Sequence, residues 1–218
     1  MSEVPVVLDR LRGVCGELVL RRVAADFEII ANGVFLMDTR NGESERLMVR
    51  AVADRMPAGG RLLVGGLGVG FSLRAALDEP RVGEVVVVER ERAVIDWNRG
   101  PLRSRHGDAL ADPRVRCVEA DLLTWLPSCG ADFAGICLDV DNGPEWTVTD
   151  GNAALYGNAG LDMLATALSS GGVLAVWSAG ASPAFAERLA ARFGAVDTLS
   201  VPVPRGEPDL VYLARAPR

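Results

Sequence analysis

RLLVGGLGVGFSLRAALDEPRVGEVVVVE, residues 61–89, reads as a complete β-α-β unit. Residues 61–64 form an apolar strand that rises into Gly65-Gly66-Leu67-Gly68-Val69-Gly70. A short helix follows, and residues 85–88 form a second strand with Glu89 at its carboxyl end. Glycines let a backbone come close to a ligand, and a helix start offers unpaired N–H groups. An acid closing the second strand is placed to accept hydrogen bonds from ribose hydroxyls. The unit is therefore expected to bind a nucleoside-containing cofactor through Gly65, Gly66, Gly68, Gly70 and Glu89. The plain alternative is a turn that only joins strand to helix.

Spacing narrows the nucleoside. A dinucleotide site wants its third glycine five residues after the first. Counted from Gly66 that place is Phe71, and from Gly68 it is Leu73. Gly66, Gly68 and Gly70 instead alternate, a pattern that resembles class I S-adenosylmethionine (SAM) enzymes.

Outward from the unit, strands and helices keep alternating. Residues 92–98 read as a helix, 115–119 as a strand ending in Ala120-Asp121, 122–126 as a short helix, and 133–138 as a strand ending at Asp139. Residues 152–169 place Leu161, Leu164, Ala165 and Leu168 on one helical face, stopped by Gly171-Gly172. Residues 173–177 form a further strand. Phe185, Leu189 and Phe193 recur every four residues on the next helix. Two closing strands, 195–201 and 210–214, flank the turn VPRGEPD. The fold class is α/β, a Rossmann-like, doubly wound, seven-stranded sheet with a terminal antiparallel hairpin.

The first sixty residues differ. Residues 17–23, 27–31 and 34–38 read as short strands, the last two joined by Asn32-Gly33, a good hairpin signal. Met48, Ala51, Val52 and Met56 then form a helical stripe. The chain divides into 1–58, a small β-hairpin region with a lead-in helix, and 59–218, a SAM-binding Rossmann-like domain.

Composition sets bounds. The 218 residues suffice for one α/β domain with a substantial core. A net charge of −6 without a basic run argues against nucleic-acid partners. No apolar run reaches the ~20 residues needed to span a bilayer, and MSEVPVVLDR has no leader pattern, so a cytoplasmic location is expected. Cys15, Cys117, Cys129 and Cys137 lack metal-ligand spacing; Cys117 and Cys137 read as buried free thiols. The lone His106, within RSRHGD, reads as a surface-loop residue, and no metal is expected.

The chain resembles the spermidine synthase (polyamine aminopropyltransferase) group. Its marks are ANGVFLMD, LLVGGLGVG, VVVVER, DPRVRCVEAD, LDVDNGP followed by LYGNAGL, and GGVLAVWSA, in that order. The resemblance implies Glu89 as ribose ligand, Asp121 with Leu122 beside the adenine, and Asp139 beside the attacking amine. Asp121 as a plain helix cap, and Asp139 and Asp141 as acids of an Asp-Asn-Gly-Pro turn, are the alternatives. The synthases also carry a larger N-terminal β-domain, which looks shortened here. Two departures stand out. Gly68 occupies the place of the acid that in the synthases holds the amino group of decarboxylated SAM and disfavours a carboxylate. Leu36 and Met37 stand where a glutamine is usual, and Ser44-Glu45-Arg46 replaces a Tyr-His-containing stretch.

With no acid at position 68, ordinary SAM avoids a repulsion on the order of a kcal/mol. The expectation is therefore a SAM-dependent transferase that moves an alkyl, most simply methyl, group to a small acceptor such as an amine. Asp139 is the candidate catalytic residue, supported by Asp141. Trp146 and Tyr156 either wall the acceptor site or pack against the sheet edge. Aminopropyl transfer from decarboxylated SAM is the second reading, and a non-catalytic nucleoside-binding protein the third. The N-terminal edge strands suggest a homodimer.

Overall fold

Two sheets divide the described chain, which in the computed structural model comprises residues 4–149, 151–204 and 206–217. Residues 1–3 of the stretch read for a leader, and Arg205 of the turn VPRGEPD, lie outside the described residues.

The first sheet holds four strands, β1 (Val6–Gly13), β2 (Gly16–Val23), β3 (Asp26–Ala31) and β4 (Val34–Asp38), paired antiparallel in chain order. Asn32 and Gly33 both have positive φ, 51° and 79°, as a tight hairpin turn demands. β1 was not anticipated, because VVLDRLRG carries no clean alternation; Val6, Val7 and Leu8 all stay exposed.

Helix α1 (Glu43–Ala53) leads into the second sheet. There follow β5 (Gly60–Gly65), α2 (Phe71–Asp78), β6 (Val82–Glu89), α3 (Arg92–Arg99), β7 (Val115–Glu119), α4 (Leu122–Trp125) and β8 (Phe133–Leu138). The chain closes with α5 (Asn158–Ala167), β9 (Leu168–Ser178), α6 (Pro183–Arg192), β10 (Phe193–Val201) and β11 (Asp209–Pro217). The strand order is β10-β11-β9-β8-β5-β6-β7, with β11 antiparallel to both neighbours and the other pairs parallel. This is the α/β class and seven-stranded sheet expected from the sequence. From β5 the chain winds to β6 and β7, then crosses back to β8 on the other side. Such a reversal opens a crevice at the carboxyl ends of β5 and β8.

Burial on both faces explains the unbroken apolar strands. Leu62, Val64, Val85 and Val87 pack with α1, α2 and α3, while Leu63, Val86 and Val88 pack with α4, α5 and α6. Each fully buried Val or Leu contributes about 1.5–3 kcal/mol, so these central strands anchor the sheet.

Several boundaries differ from expectation. The helix expected over 152–169 is split: 152–156 form a 3-10 turn and Gly157 adopts extended backbone before α5. Leu168 and Phe193, read as the last residues of helical faces, begin β9 and β10 instead. Gly171-Gly172 falls inside β9, at a register shift against β8. Cys137 is buried, but Cys117 only partly. His106 is 1% exposed rather than on the surface. Its Nδ1 accepts from the Ala109 N–H (3.1 Å), which leaves the Nε2 proton to donate to the Asn98 carbonyl (3.1 Å). Burial lowers its pKa, so the ring is a neutral staple. Among the described residues no helix is long and apolar enough to cross a membrane.

Candidate active site

A cavity of about 600 Å³ lies at the switch point, roofed by β3 and β4. Gly66, Gly68, Glu89, Asp121, Leu122, Asp139, Asp141 and Trp146 all line it. The folding of two sheets onto one another thus brings most of the expected residues together.

The glycine turn is shaped by contacts that only glycine permits. Gly66 has φ 92°, and a Cβ there would stand 2.1 Å from the Asp139 carbonyl oxygen. A Cβ on Gly68 (φ 51°) would stand 2.3 Å from the Met37 sulfur. Met37 thus fills the space that an acid at position 68 would enter. Gly65 ends β5 behind the cavity, and Gly70 caps α2; neither lines the wall. Asn98, missed in the sequence, donates from Nδ2 to the Gly68 carbonyl at 2.8 Å and so fixes the turn.

Glu89 accepts the Leu67 N–H at Oε2 (2.9 Å) and the Glu91 N–H at Oε1 (2.8 Å). Burial pushes its pKa up, and these two amides partly oppose that. Each carboxylate oxygen keeps a second lone pair, so acceptor capacity for two hydroxyls remains. Two residues on, Glu91 reaches the β1–β2 turn, accepting the N–H groups of Val14 (2.9 Å) and Cys15 (3.1 Å).

Asp121 does cap α4: its Oδ1 accepts the Thr124 N–H at 3.1 Å. Its Oδ2 faces Arg90 at 3.3 Å while the side chain still borders the cavity. The cap and a cavity-facing acid are therefore the same residue. Leu122, the first residue of α4, packs against Gly65 and supplies apolar wall.

Asp139 hangs from the end of β8, its N–H donating to the Gly65 carbonyl at 2.8 Å. Its Oδ2 accepts from Ser72 Oγ at 2.8 Å. Burial, with Asp209 nearby, pushes its pKa up to about 6. Asp141 behaves differently. It sits at φ 61°, and its carboxylate accepts from Val148 N–H (2.7 Å), Thr149 N–H (3.0 Å) and Asn152 Nδ2 (2.9 Å). Those bonds fold the loop after β8, as the turn-acid alternative expects, while Asp141 still borders the cavity.

The aromatic pair separates. Trp146 is 57% exposed at the cavity edge. Tyr156 is no wall of the cavity: it is 1% exposed, edge-on to Phe185, and its hydroxyl donates to the Val140 carbonyl. Its apolar ring is drawn under the sheet while the hydroxyl ties down the loop.

Glu45 and Asp209, outside the candidate site residues, also line the cavity. Glu45 enters from the first turn of α1, and Asp209 from the start of β11. Ser44 Oγ bridges them, 2.9 Å from Glu45 Oε2 and 2.8 Å from Asp209 Oδ2. Burial, then the charge of Asp139, pushes Glu45 up to about 7. Glu45 falls in the Ser44-Glu45-Arg46 stretch noted as a departure from the family, whereas Asp209, flanking a turn, carries no local motif. Among the described lining residues the only cation is Arg90, which faces Asp121. The cavity is accordingly built for positive charge and against added carboxylates.

No protein-family model matches the chain. A polyamine aminopropyltransferase of Mycobacterium tuberculosis is 31% identical over 165 residues, 73% of this chain and 30% of that protein. Polyamine aminopropyltransferase 1 of Streptomyces coelicolor is 32% identical over 129 residues, 58% of this chain and 23% of that protein. The chain thus spans about a third or less of the length of these relatives. The fold superposes on the crystal structure of spermidine synthase from Thermotoga maritima with a TM-score of 0.79 at 17% identity, covering 96% of this chain and 72% of that one. A spermidine synthase in complex with the transition-state analogue AdoDATO gives 0.81 at 16% identity, covering 96% and 73%. The expectation of methyl transfer is corrected by these relatives, which are named for aminopropyl transfer. Physically, Gly68 removes one acid from a cavity that retains Glu45, Asp139 and Asp209, so its loss does not make room for a carboxylate.

Proposed function

Because the chain falls within the spermidine synthase-like group, we propose that it moves an aminopropyl group from decarboxylated SAM to a small amine. The observation that carries this reading is the single cavity shared by the glycine turn, Glu89 and Asp139, acid-lined and nearly without cations. When bound, decarboxylated SAM supplies a carbon activated by its sulfonium. Gly66 and Gly68 cradle the nucleoside, Glu89 accepts its ribose hydroxyls, and Asp121 with Leu122 borders the adenine. Asp139 orients the acceptor nitrogen toward that carbon. A C–N bond forms as the C–S bond breaks, the sulfur keeps the electron pair, and the new ammonium develops beside Asp139. Holding nitrogen and carbon in line is worth several kcal/mol of barrier, which no single charge supplies alone. Ser72 fixes the Asp139 carboxylate for that task.

Trp146 covers the mouth and excludes water. A cytoplasmic homodimer, joined through the exposed apolar edge at Val6, Val7 and Leu8, belongs to the same reading and is checked by light scattering.

Calorimetry with the two cofactors tests the core claim. Decarboxylated SAM is expected to bind at least tenfold more tightly than SAM, equivalent to ~1.4 kcal/mol. Equal or inverted preference, without transfer to any amine, overturns it.

A further inference from the structure

We propose that Asn98 is a positioning residue, which holds the glycine turn in the shape that receives the nucleoside, and that His106 braces it. The proposal rests on the reading of this turn as a nucleoside site and adds two side chains from outside that site. Gly68 lines the cavity, whereas Asn98 and His106 lie behind the turn and do not.

The Gly68 carbonyl carries the argument. Gly68 belongs to no helix or strand, so no regular ladder satisfies its oxygen. Among the described residues it accepts one hydrogen bond, from Asn98 Nδ2 at 2.8 Å. The other Nδ2 hydrogen goes to the Val94 carbonyl, also at 2.8 Å, one turn back on α3. With both hydrogens placed, a turned-over amide would set Oδ1 against two carbonyl oxygens, so its orientation is fixed. A peptide group is planar, so holding the Gly68 carbonyl also fixes the plane that joins Gly68 to Val69.

The amide itself is left short. Asn98 is fully buried, and its Oδ1 has no partner among the described residues. An unpaired buried oxygen costs stability, whereas alanine forms helix better and carries no such cost. Position 98 thus holds a residue unfavourable to α3 taken alone, whose gain lies at the turn. A local conflict of that kind is expected where a residue serves a site. His106 completes the brace. Its Nε2 donates to the Asn98 carbonyl at 3.1 Å. Its ring also lies against the far end of the turn, where a Cβ on Gly70 would stand 2.8 Å from His106 Cδ2 and 3.0 Å from Asn98 Oδ1. α3 and the loop after it therefore grip the turn at both Gly68 and Gly70.

The test is calorimetric titration of 5′-methylthioadenosine, the thioether left once decarboxylated SAM has lost its aminopropyl group, into the full chain. Wild type is expected to bind. Asn98→Leu keeps the bulk and removes the donor, trading one unpaired oxygen, Oδ1, for another, the Gly68 carbonyl. Its melting temperature should stay within a few degrees of wild type while Kd rises roughly tenfold. Asn98→Ala should lose similar affinity and serves if Asn98→Leu does not fold. In turnover, KM for decarboxylated SAM should rise with that Kd while KM for the amine does not. His106→Ala, which leaves the amide in place, should raise Kd only a few-fold. Leu189→Ala, in the core on the opposite face of the sheet, should lower the melting temperature and leave Kd unchanged, so that affinity does not merely track stability. An unchanged Kd in the Asn98 variants, or no binding by wild type, overturns the proposal. Failure of the aminopropyl reading would look different: 5′-methylthioadenosine would bind in an Asn98-dependent way, yet wild type would show no preference for decarboxylated SAM over SAM.

Discussion

The nucleoside half of the cavity and its acceptor half are built in opposite ways. The first comes from one continuous segment: Gly66, Gly68 and Glu89 belong to a single β-α-β unit, and their partners Leu67 and Glu91 are close neighbours in sequence. The second is assembled from afar. Ser44 and Asp209 meet across 165 positions, and Asp139 joins them from the end of β8. Local chemistry shapes one half, and tertiary folding the other. Damage to the first should therefore act through backbone shape, and damage to the second through charge.

The largest expected effect follows from shape. Gly66→Ala forces a Cβ toward the Asp139 carbonyl at a positive φ, so it should cost about 1–3 kcal/mol of stability and abolish measurable cofactor binding. Denaturant unfolding and calorimetry would check both. A variant that bound normally would break the contrast. Next, Asp139→Asn should keep cofactor affinity but lower kcat about 100-fold, as loss of a positioned acid does. Rate measurement with a diamine decides it.

Asp121 sharpens the comparison because it serves both fold and site. Asp121→Ala should lose ~1 kcal/mol of cap energy together with nucleoside affinity. Asp121→Ser should keep the cap and lose only affinity, so unfolding and binding would move apart.

A pH prediction concerns the acceptor half alone. Glu45 and Asp139 have folded pKa values raised to about 7 and about 6, above their ordinary 4.5 and 3.8. Between those values the folded chain binds more protons than the unfolded one, so stability falls as pH rises from about 4 to about 7. Glu45→Gln should therefore raise stability at pH 8 by something on the order of 1 kcal/mol, seen as a higher melting temperature, and leave it nearly unchanged at pH 4. A fall at pH 8 would contradict the balance of burial and like charge. The smallest effect belongs to Trp146→Ala: stability unchanged, and KM for the amine raised a few-fold.

The same divide governs how much could be read from the residues alone. Glycine spacing, alternating strands and the acid closing β6 sit within short windows, so the sheet and the nucleoside half were legible. β1 escaped because Val6, Val7 and Leu8 are consecutive and exposed, so no face alternates, and Leu168 and Phe193 misled because a buried residue fits a helical stripe or a strand equally well. Glu45 and Asp209 gain their meaning from distant partners, and His106 gains its burial by packing between Asn98 of α3 and the Gly70 turn. Reading position 68 by itself suggested methyl transfer; its consequence depends on Met37 and on acids far away in the chain.

Glu91 ties the N-terminal sheet to the nucleoside half of the cavity. Its carboxylate clasps the Val14 and Cys15 amides, and it sits two residues after Glu89. Lifting the N-terminal sheet would strip both amides from a 9% exposed acid and leave two carboxylates facing one another. The roof is thus fastened at its edge to the same strand end that carries Glu89.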